Sequence, residues 1–148
     1  MRKRKIQEEK RLMNRWVFDH AYAMIDEFNM GRSEALRQAY LVRDLLEALG
    51  QGVVVFEYEK KDGTLRQARG TLCRGISEKY DAYETPLNPP RGEASVTPPR
   101  RRRRGVDSLN FAYWDLDKEA FRNFSIVNVK RIVEVTIKGN NHELIEFV

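Results

Sequence analysis

The first fifty residues carry apolar side chains at helical spacing. Along residues 5–30 an apolar residue recurs every three or four positions, which predicts an amphipathic helix. This stripe consists of Leu12, Met13, Trp16, Val17, Ala21, Met24, Ile25 and Phe28. Gly31 suits the C′ position that ends such a helix, and Ser33 suits the N-cap of a second helix. We expect the second helix to end before Gly50 and Gly52, with an apolar face formed by Leu36, Tyr40 or Ala39, Leu46 and Leu49.

The apolar repeat then changes to alternate positions, which is typical of strands. Val54, Phe56 and Tyr58 share one face of the segment 53–59. The following Lys61-Asp62-Gly63-Thr64 has the composition of a tight turn, and β-type residues continue to about Cys73. This part of the chain predicts a β-hairpin.

A long segment without periodicity follows the hairpin. Between residues 75 and 106 the chain carries all five of its prolines together with glycine, serine and an arginine run. Proline at this density is incompatible with a helix or a central strand, so we expect a loop over about residues 76–107. Tyr80 and Tyr83 are expected to anchor its first part.

Strand patterns return after the loop. They predict short strands at residues 111–115, 121–126, 132–137 and 143–148, a helical turn at 117–120 and a tight turn at 139–141. With the hairpin, this makes five or six short strands, a number typical of a small barrel. The predicted fold class is α+β, with an N-terminal helical arm over residues 1–50 and a β-barrel over residues 51–148 that the loop interrupts.

Parts of this barrel resemble a known family. Four segments carry the resemblance, namely residues 56–64, 66–72, 111–116 and 120–124. They are similar to the WYL-like family with an Sm-like SH3 β-barrel fold, which is common in Bacteroidetes, their mobile elements and phages. The resemblance implies an SH3/Sm-like barrel of five to six strands. By analogy with related barrels it also implies binding of nucleic acids or nucleotides. The long loop and the extended first helix depart from the compact family pattern.

Positive charge is concentrated in two segments. The chain has 27 Lys and Arg against 22 Asp and Glu, a net charge of +5. Residues 1–11 sum to +4 and residues 91–104 to +5, which leaves −4 for the rest of the chain. This distribution is typical of basic arms attached to a mildly acidic body.

Several classes of function are disfavoured. No apolar run approaches the ~20 residues of a membrane span, and one cysteine, Cys73, permits no internal disulfide, so we expect a cytoplasmic protein. His20, His142 and Cys73 lie too far apart in the sequence to suggest a metal site. Asp115 and Asp117 share a face if the strand continues, which would suit acid–base chemistry, whereas an aspartate at a strand end commonly caps the next turn. We expect no enzyme and no cofactor.

The arginine run gives the leading functional hypothesis, a non-enzymatic accessory or regulatory protein that binds DNA or RNA. Flexible arginines neutralise phosphates and release counterions, which gives salt-sensitive binding with little sequence preference. Strand alternation sends Trp114 and Arg122 outward, while Phe111, Tyr113 and Phe121 fill the barrel. The candidate nucleic-acid-binding residues are Arg91, Arg100, Arg101, Arg102, Arg103, Arg104, Trp114 and Arg122.

Three alternatives stay open. An acidic protein would also suit the arginine run. The amphipathic first helix favours a protein–protein module, in which Leu12 and Trp16 contact a partner or a second copy of the chain. A small-ligand-sensing barrel is the third alternative, and it requires a polar pocket.

Overall fold

The computed structural model describes residues 2–83, 106, 108–138 and 144–147, and it describes side chains at 14–83, 106 and 108–138. Two helices form its N-terminal part. Helix α1 spans Arg2–Phe28 and helix α2 spans Arg32–Gln51. Both predicted helices are therefore confirmed, and α2 continues through Gly50 to Gln51, two residues further than expected.

The connection between the helices differs from the prediction. Asn29 adopts the left-handed conformation that ends α1, with φ 55° and its N–H bonded to the Ile25 carbonyl at 3.0 Å. Gly31 has φ −66° and is instead the N-cap of α2, so the predicted N-cap, Ser33, already lies inside the helix. Asparagine reaches the left-handed region at low cost, so Gly31 is not needed for it.

Six antiparallel strands of the described residues form one sheet. The strands are β1 (Gly52–Glu59), β2 (Leu65–Thr71), β3 (Asn110–Asp115), β4 (Ala120–Ser125), β5 (Val129–Lys138) and β6 (Leu144–Phe147), in the order β4-β3-β2-β1-β5-β6. A short helix, α3 (Glu78–Asp81), follows β2, and a 3-10 turn (Ile126–Asn128) precedes β5. The predicted α+β class is confirmed. The predicted turn at residues 139–141 lies outside the described residues.

The segment between β3 and β4 is a hairpin turn and not the predicted helical turn. Asp115 pairs with Ala120 at its base, and Glu119 closes the turn with φ 51°. A left-handed residue cannot continue a right-handed helical turn, so the strands reverse directly.

The helices and the sheet share one hydrophobic core. Val17 and Met24 of α1 are fully buried with Leu45 of α2 and with Val54 and Phe56 of β1. The buried stripe of α2 contains Ala39 and not Tyr40, which is 40% exposed. The stripe of α1 ends earlier than predicted because its last residue, Phe28, is 46% exposed. The side chains of Leu12 and Met13 lie outside the described residues.

A polar contact fixes α2 against the end of the sheet. The side-chain amide of Gln38 donates to the carbonyls of Ile126 and Val129, at 2.8 and 2.7 Å. These carbonyls flank the 3-10 turn, so one side chain satisfies two acceptors where β4 passes into β5.

Candidate functional site

The inner face of the β3–β4 hairpin completes the core, as predicted for Tyr113 and Phe111. Tyr113 is fully buried, and its hydroxyl lies 2.8 Å from that of Tyr58. Burial, together with the bond to Tyr58, raises the pKa of Tyr113 well above its usual range. Phe111 packs against Trp16 and His20 of α1, with ring centroids 6.2 and 6.0 Å apart.

His20 takes part in this packing. It stacks on Trp16 at 3.8 Å, and its Nδ1 lies 2.7 Å from the Trp16 carbonyl. The residues that the structure describes contain no group of histidine, cysteine and carboxylate side chains suited to a metal ion.

Trp114 lies on the opposite face, as strand alternation requires, but the prediction that it is exposed is wrong. It is only 2% exposed because Tyr80 and Tyr83 cover it, with ring centroids 5.9 and 5.8 Å away. Phe121 pairs with Trp114 across β3 and β4 and packs on it at 4.8 Å. Phe121 therefore belongs to this outer cluster and not to the barrel interior as predicted. The predicted anchoring role of Tyr80 and Tyr83 is confirmed.

Polar contacts hold α3 over this cluster. The Arg74 guanidinium donates to the carbonyls of Asp81 and Tyr83, at 3.4 and 3.1 Å. The Gly75 N–H donates to the Asp81 carboxylate at 2.9 Å, and the Tyr80 hydroxyl donates to the Leu72 carbonyl at 3.3 Å. The cover is thus tied to the end of β2 by both backbone and side-chain bonds.

Asp115 and Asp117 have separate roles. Asp115 is buried, and its Oδ1 accepts the backbone N–H groups of Asp117 and Lys118, both at 3.0 Å. It therefore caps the hairpin turn. Asp117 is exposed and pairs with Arg69 at 3.3 Å. The alternative of two carboxylates acting together on a substrate is not supported by this geometry.

An open groove of about 540 Å³ runs between the β1–β2 turn and strand β4. Four of its lining side chains are cationic and one is acidic, and most of the others are amides or aromatic rings. The lining residues are Tyr58, Glu59, Lys60, Lys61, Arg66, Asn110, Phe121, Arg122, Asn123, Phe124, Ser125 and Asn128. The acidic one, Glu59, is paired with Lys130 at 3.4 Å. The groove is therefore a cationic surface on a body that is otherwise net acidic.

The β1–β2 turn presents two of these cations in a defined conformation. Its base is closed by the bond from the Lys60 N–H to the Thr64 carbonyl, at 2.8 Å, and Gly63 supplies the required positive φ of 87°. The Asp62 carboxylate accepts both the hydroxyl and the N–H of Thr64, at 2.6 and 2.9 Å. These bonds hold the pKa of Asp62 below its ordinary value. Lys60 and Lys61 are consequently carried on an ordered turn.

The other two cations meet at a buried carboxylate. Arg66 Nη2 and Arg122 Nε lie 3.8 and 3.4 Å from the same oxygen, Oδ2 of Asp115. The Arg66 and Arg122 side chains are 20% and 36% exposed, while that of Asp115 is 3% exposed. Both guanidinium groups therefore stand between a fixed negative charge and the open groove.

The predicted site residues are distributed unevenly around this groove. Arg122 lines it, but the prediction that Arg122 shares the outer face with Trp114 is wrong, because Arg122 pairs with Tyr113 and lies on the face of that residue. Trp114 does not line the groove. Arg91 and Arg100 to Arg104 lie outside the described residues. Of the described residues that flank their segment, Tyr83 packs on the groove residue Phe121 at 4.7 Å, and Val106 is buried in the core. Trp16, one of the two predicted partner-binding residues, packs on His20 and Phe111 of its own chain, and the side chain of the other, Leu12, lies outside the described residues.

Sequence reasoning missed three groove cations, Lys60, Lys61 and Arg66. The segment 57–66 holds three acidic and three basic residues, so it shows no local excess of charge. The available signal was the strand pairing that brings β2 beside β3 and β3 beside β4.

No helix among the described residues is long and apolar enough to cross a membrane.

Comparison with known proteins supports the fold. No curated protein and no solved structure gives a significant match. One family model matches residues 42–130, and its description is WYL_2, Sm-like SH3 beta-barrel fold. This range covers more than half of the chain and includes β1 to β4 and the groove. The expected SH3/Sm-like barrel is thereby confirmed, and the chain belongs to the WYL_2 family.

Proposed function

We propose that this protein is a non-enzymatic, nucleic-acid-associated accessory or regulatory protein that contacts the phosphate backbone of DNA or RNA. The observation that carries the proposal is the cationic groove between the β1–β2 turn and strand β4. Folding places Lys60, Lys61, Arg66 and Arg122 in this groove, and the one acidic residue among its lining residues, Glu59, is already paired with Lys130.

The composition of the groove suits a phosphodiester chain better than a simple carboxylate ligand. Arginine presents a planar fork of donors that matches phosphate oxygens, and lysine adds a mobile point charge. The Phe121 ring and the amides of Asn110, Asn123 and Asn128 stand beside these cations. Aromatic and amide groups next to a basic track are common where proteins contact unpaired bases. Arg91 and Arg100 to Arg104 would extend the contact along the backbone.

The test measures binding of fluorescent single- and double-stranded DNA and RNA by anisotropy over a range of salt concentrations. Variants are Lys60→Gln/Lys61→Gln and a chain with Arg100 to Arg104 changed to Ser. The matched control, Lys79→Gln/Lys118→Gln, removes the same charge from two exposed lysines that do not line the groove.

Each backbone contact contributes about −0.9 to the slope of log K against log salt for duplex DNA, or about −0.7 for a single strand. Loss of two groove lysines should therefore flatten the slope by roughly 1–2, and the control should leave it almost unchanged. Failure of the wild type to bind any of the four ligands at low salt contradicts the proposal. Equal binding by the wild type, the lysine variant and the arginine-segment variant does so as well.

The self-association alternative is less well supported by the structure. Trp16 is half-buried against His20 and Phe111 of its own chain, so it is not free to serve as the main contact of a second copy. Light scattering of the full chain measures this directly, and a monomer at high concentration excludes it.

A further inference from the structure

We infer that Arg66 and Arg122 form a clamp for a single phosphate group and that the buried carboxylate of Asp115 positions both arginines. This inference rests on the proposed function, since it identifies which groove residues bind a phosphate and what holds them in place. Asp115 itself does not touch the ligand and is a positioning residue.

Strand pairing sets the clamp geometry. Arg66 lies opposite Tyr58 on β1, and Arg122 lies opposite Tyr113 on β3. Both arginines therefore project from the sheet face that carries the buried tyrosine pair, at its open end. Asp115 is two residues beyond Tyr113 on β3 and so belongs to the same face. The three charged side chains come from three adjacent strands, β2, β3 and β4.

The carboxylate is fixed independently of the arginines. Its Oδ1 accepts the N–H groups of Asp117 and Lys118 in the hairpin turn, which leaves Oδ2 for the two guanidinium groups. Two guanidinium groups beside one another repel, and a buried carboxylate between them offsets that repulsion. Asp115 therefore holds Arg66 and Arg122 closer together than two free arginines would stay.

The clamp retains donors for a ligand. Asp115 is approached by one nitrogen of each guanidinium, Arg66 Nη2 at 3.8 Å and the buried Arg122 Nε at 3.4 Å, so it does not engage the remaining nitrogens of the two groups. The set of two arginines and one carboxylate keeps a net charge of +1 that faces the groove. Two converging planar forks of this kind match the tetrahedral oxygens of a phosphate.

The ligand class is a phosphate ester, which could belong to a nucleic-acid backbone or to a free nucleotide. The test therefore uses two probes, a fluorescent oligonucleotide and adenosine monophosphate, with the full chain. The main variant is Asp115→Asn, which keeps the oxygen that caps the turn but removes the negative charge. Its matched control is Asp117→Asn, which makes the same charge change two residues away, at an exposed carboxylate paired with Arg69.

The two variants separate positioning from overall charge. If Asp115 acted only through net charge, both variants would bind more tightly, because each removes one negative charge. We expect instead that Asp115→Asn binds about tenfold more weakly, with a salt slope flatter by about one, which is the loss of one phosphate contact. Asp117→Asn should bind as the wild type does or slightly more tightly.

If Asp115→Asn folds poorly, Arg66→Lys and Arg122→Lys still test the clamp. They preserve the positive charge at partly exposed positions and remove the planar fork of guanidinium donors. Each should weaken binding by several-fold with an unchanged melting temperature. The clamp is overturned if oligonucleotide binding is unaffected by these lysine variants, or if well-folded Asp115→Asn binds as tightly as the wild type. A wild type that binds adenosine monophosphate but not the oligonucleotide, and that loses this binding in Arg66→Lys and Arg122→Lys, would refute the proposed function and retain the clamp. Failure of the wild type to bind either probe would overturn both.

Discussion

Tyr58 and Tyr113 share a hydrogen bond inside the sheet, and removal of either hydroxyl should destabilise the protein. The two oxygens are 2.8 Å apart, and the residues are 4% and 0% exposed. A buried hydroxyl left without its partner costs about 1–3 kcal/mol. Tyr58→Phe leaves the fully buried Tyr113 hydroxyl without a partner, so we expect it to lower the free energy of unfolding by about 2–3 kcal/mol. Tyr113→Phe leaves the hydroxyl of Tyr58, which borders the groove and its water, so we expect about 1–2 kcal/mol.

The double variant Tyr58→Phe/Tyr113→Phe provides the stronger test. It leaves neither hydroxyl unpaired, so its cost should be well below the sum of the single costs, with a coupling of about 1–2 kcal/mol. Urea denaturation followed by circular dichroism measures all four free energies of unfolding. In thermal melts, a loss of 2 kcal/mol corresponds to roughly 4–8 °C for a chain of this size.

An exposed tyrosine gives the control. Tyr83→Phe removes a hydroxyl from a side chain that is 49% exposed and should change the free energy of unfolding by less than about 0.5 kcal/mol. The reasoning is refuted if both core variants match this control, or if the two single costs add up to the cost of the double variant.

Four further outcomes follow from the structure. Gly70→Ala would place a Cβ 2.6 Å from the Tyr113 ring and should cost about 1–3 kcal/mol in urea denaturation. Gly50→Ala, which meets nothing within 4 Å, should be neutral or slightly stabilising. Because the pKa of Tyr113 is raised in the folded protein, the unfolded chain loses this proton first, so stability should fall as pH rises above about 10. Urea midpoints between pH 8 and 11 should decline less steeply in Tyr113→Phe, and equal slopes would contradict this cause. Gln38→Glu removes the amide donor shared by two carbonyls and should lower the free energy of unfolding by about 1–3 kcal/mol. An unchanged free energy of unfolding would indicate that water replaces this donor.

The elements that the sequence predicted correctly depend on local pattern. Both helices and the first hairpin repeat their apolar residues over many positions, so a single misplaced residue does not obscure them. Their ends were harder to place because Asn29 and Gly31 can each adopt a left-handed conformation, and in the structure Asn29 adopts it. The turn after Asp115 was mistaken for a helical turn because Glu119, which has φ 51°, is not a residue type that favours the left-handed region.

The candidate site depends on contacts between distant parts of the chain. Trp114 was correctly assigned to the outer face, but its burial requires α3 to fold back, which depends on Arg74 meeting backbone carbonyls near Tyr83. The groove escaped the sequence analysis because Arg66 lies among compensating charges and Arg122 is 56 positions further along. Only the sheet order β4-β3-β2-β1 brings them together.

The common core has a consequence for any attempt to shorten this chain. The family match covers residues 42–130 and therefore omits Val17, Met24 and Ala39, which are all nearly or fully buried against the barrel. A fragment with those limits would leave an apolar surface of the sheet open to water and prone to aggregation. The helical arm is thus part of the folding unit that supports the groove. Substitutions in α1 would alter ligand binding through the fraction of molecules that are folded, without any contact to the ligand.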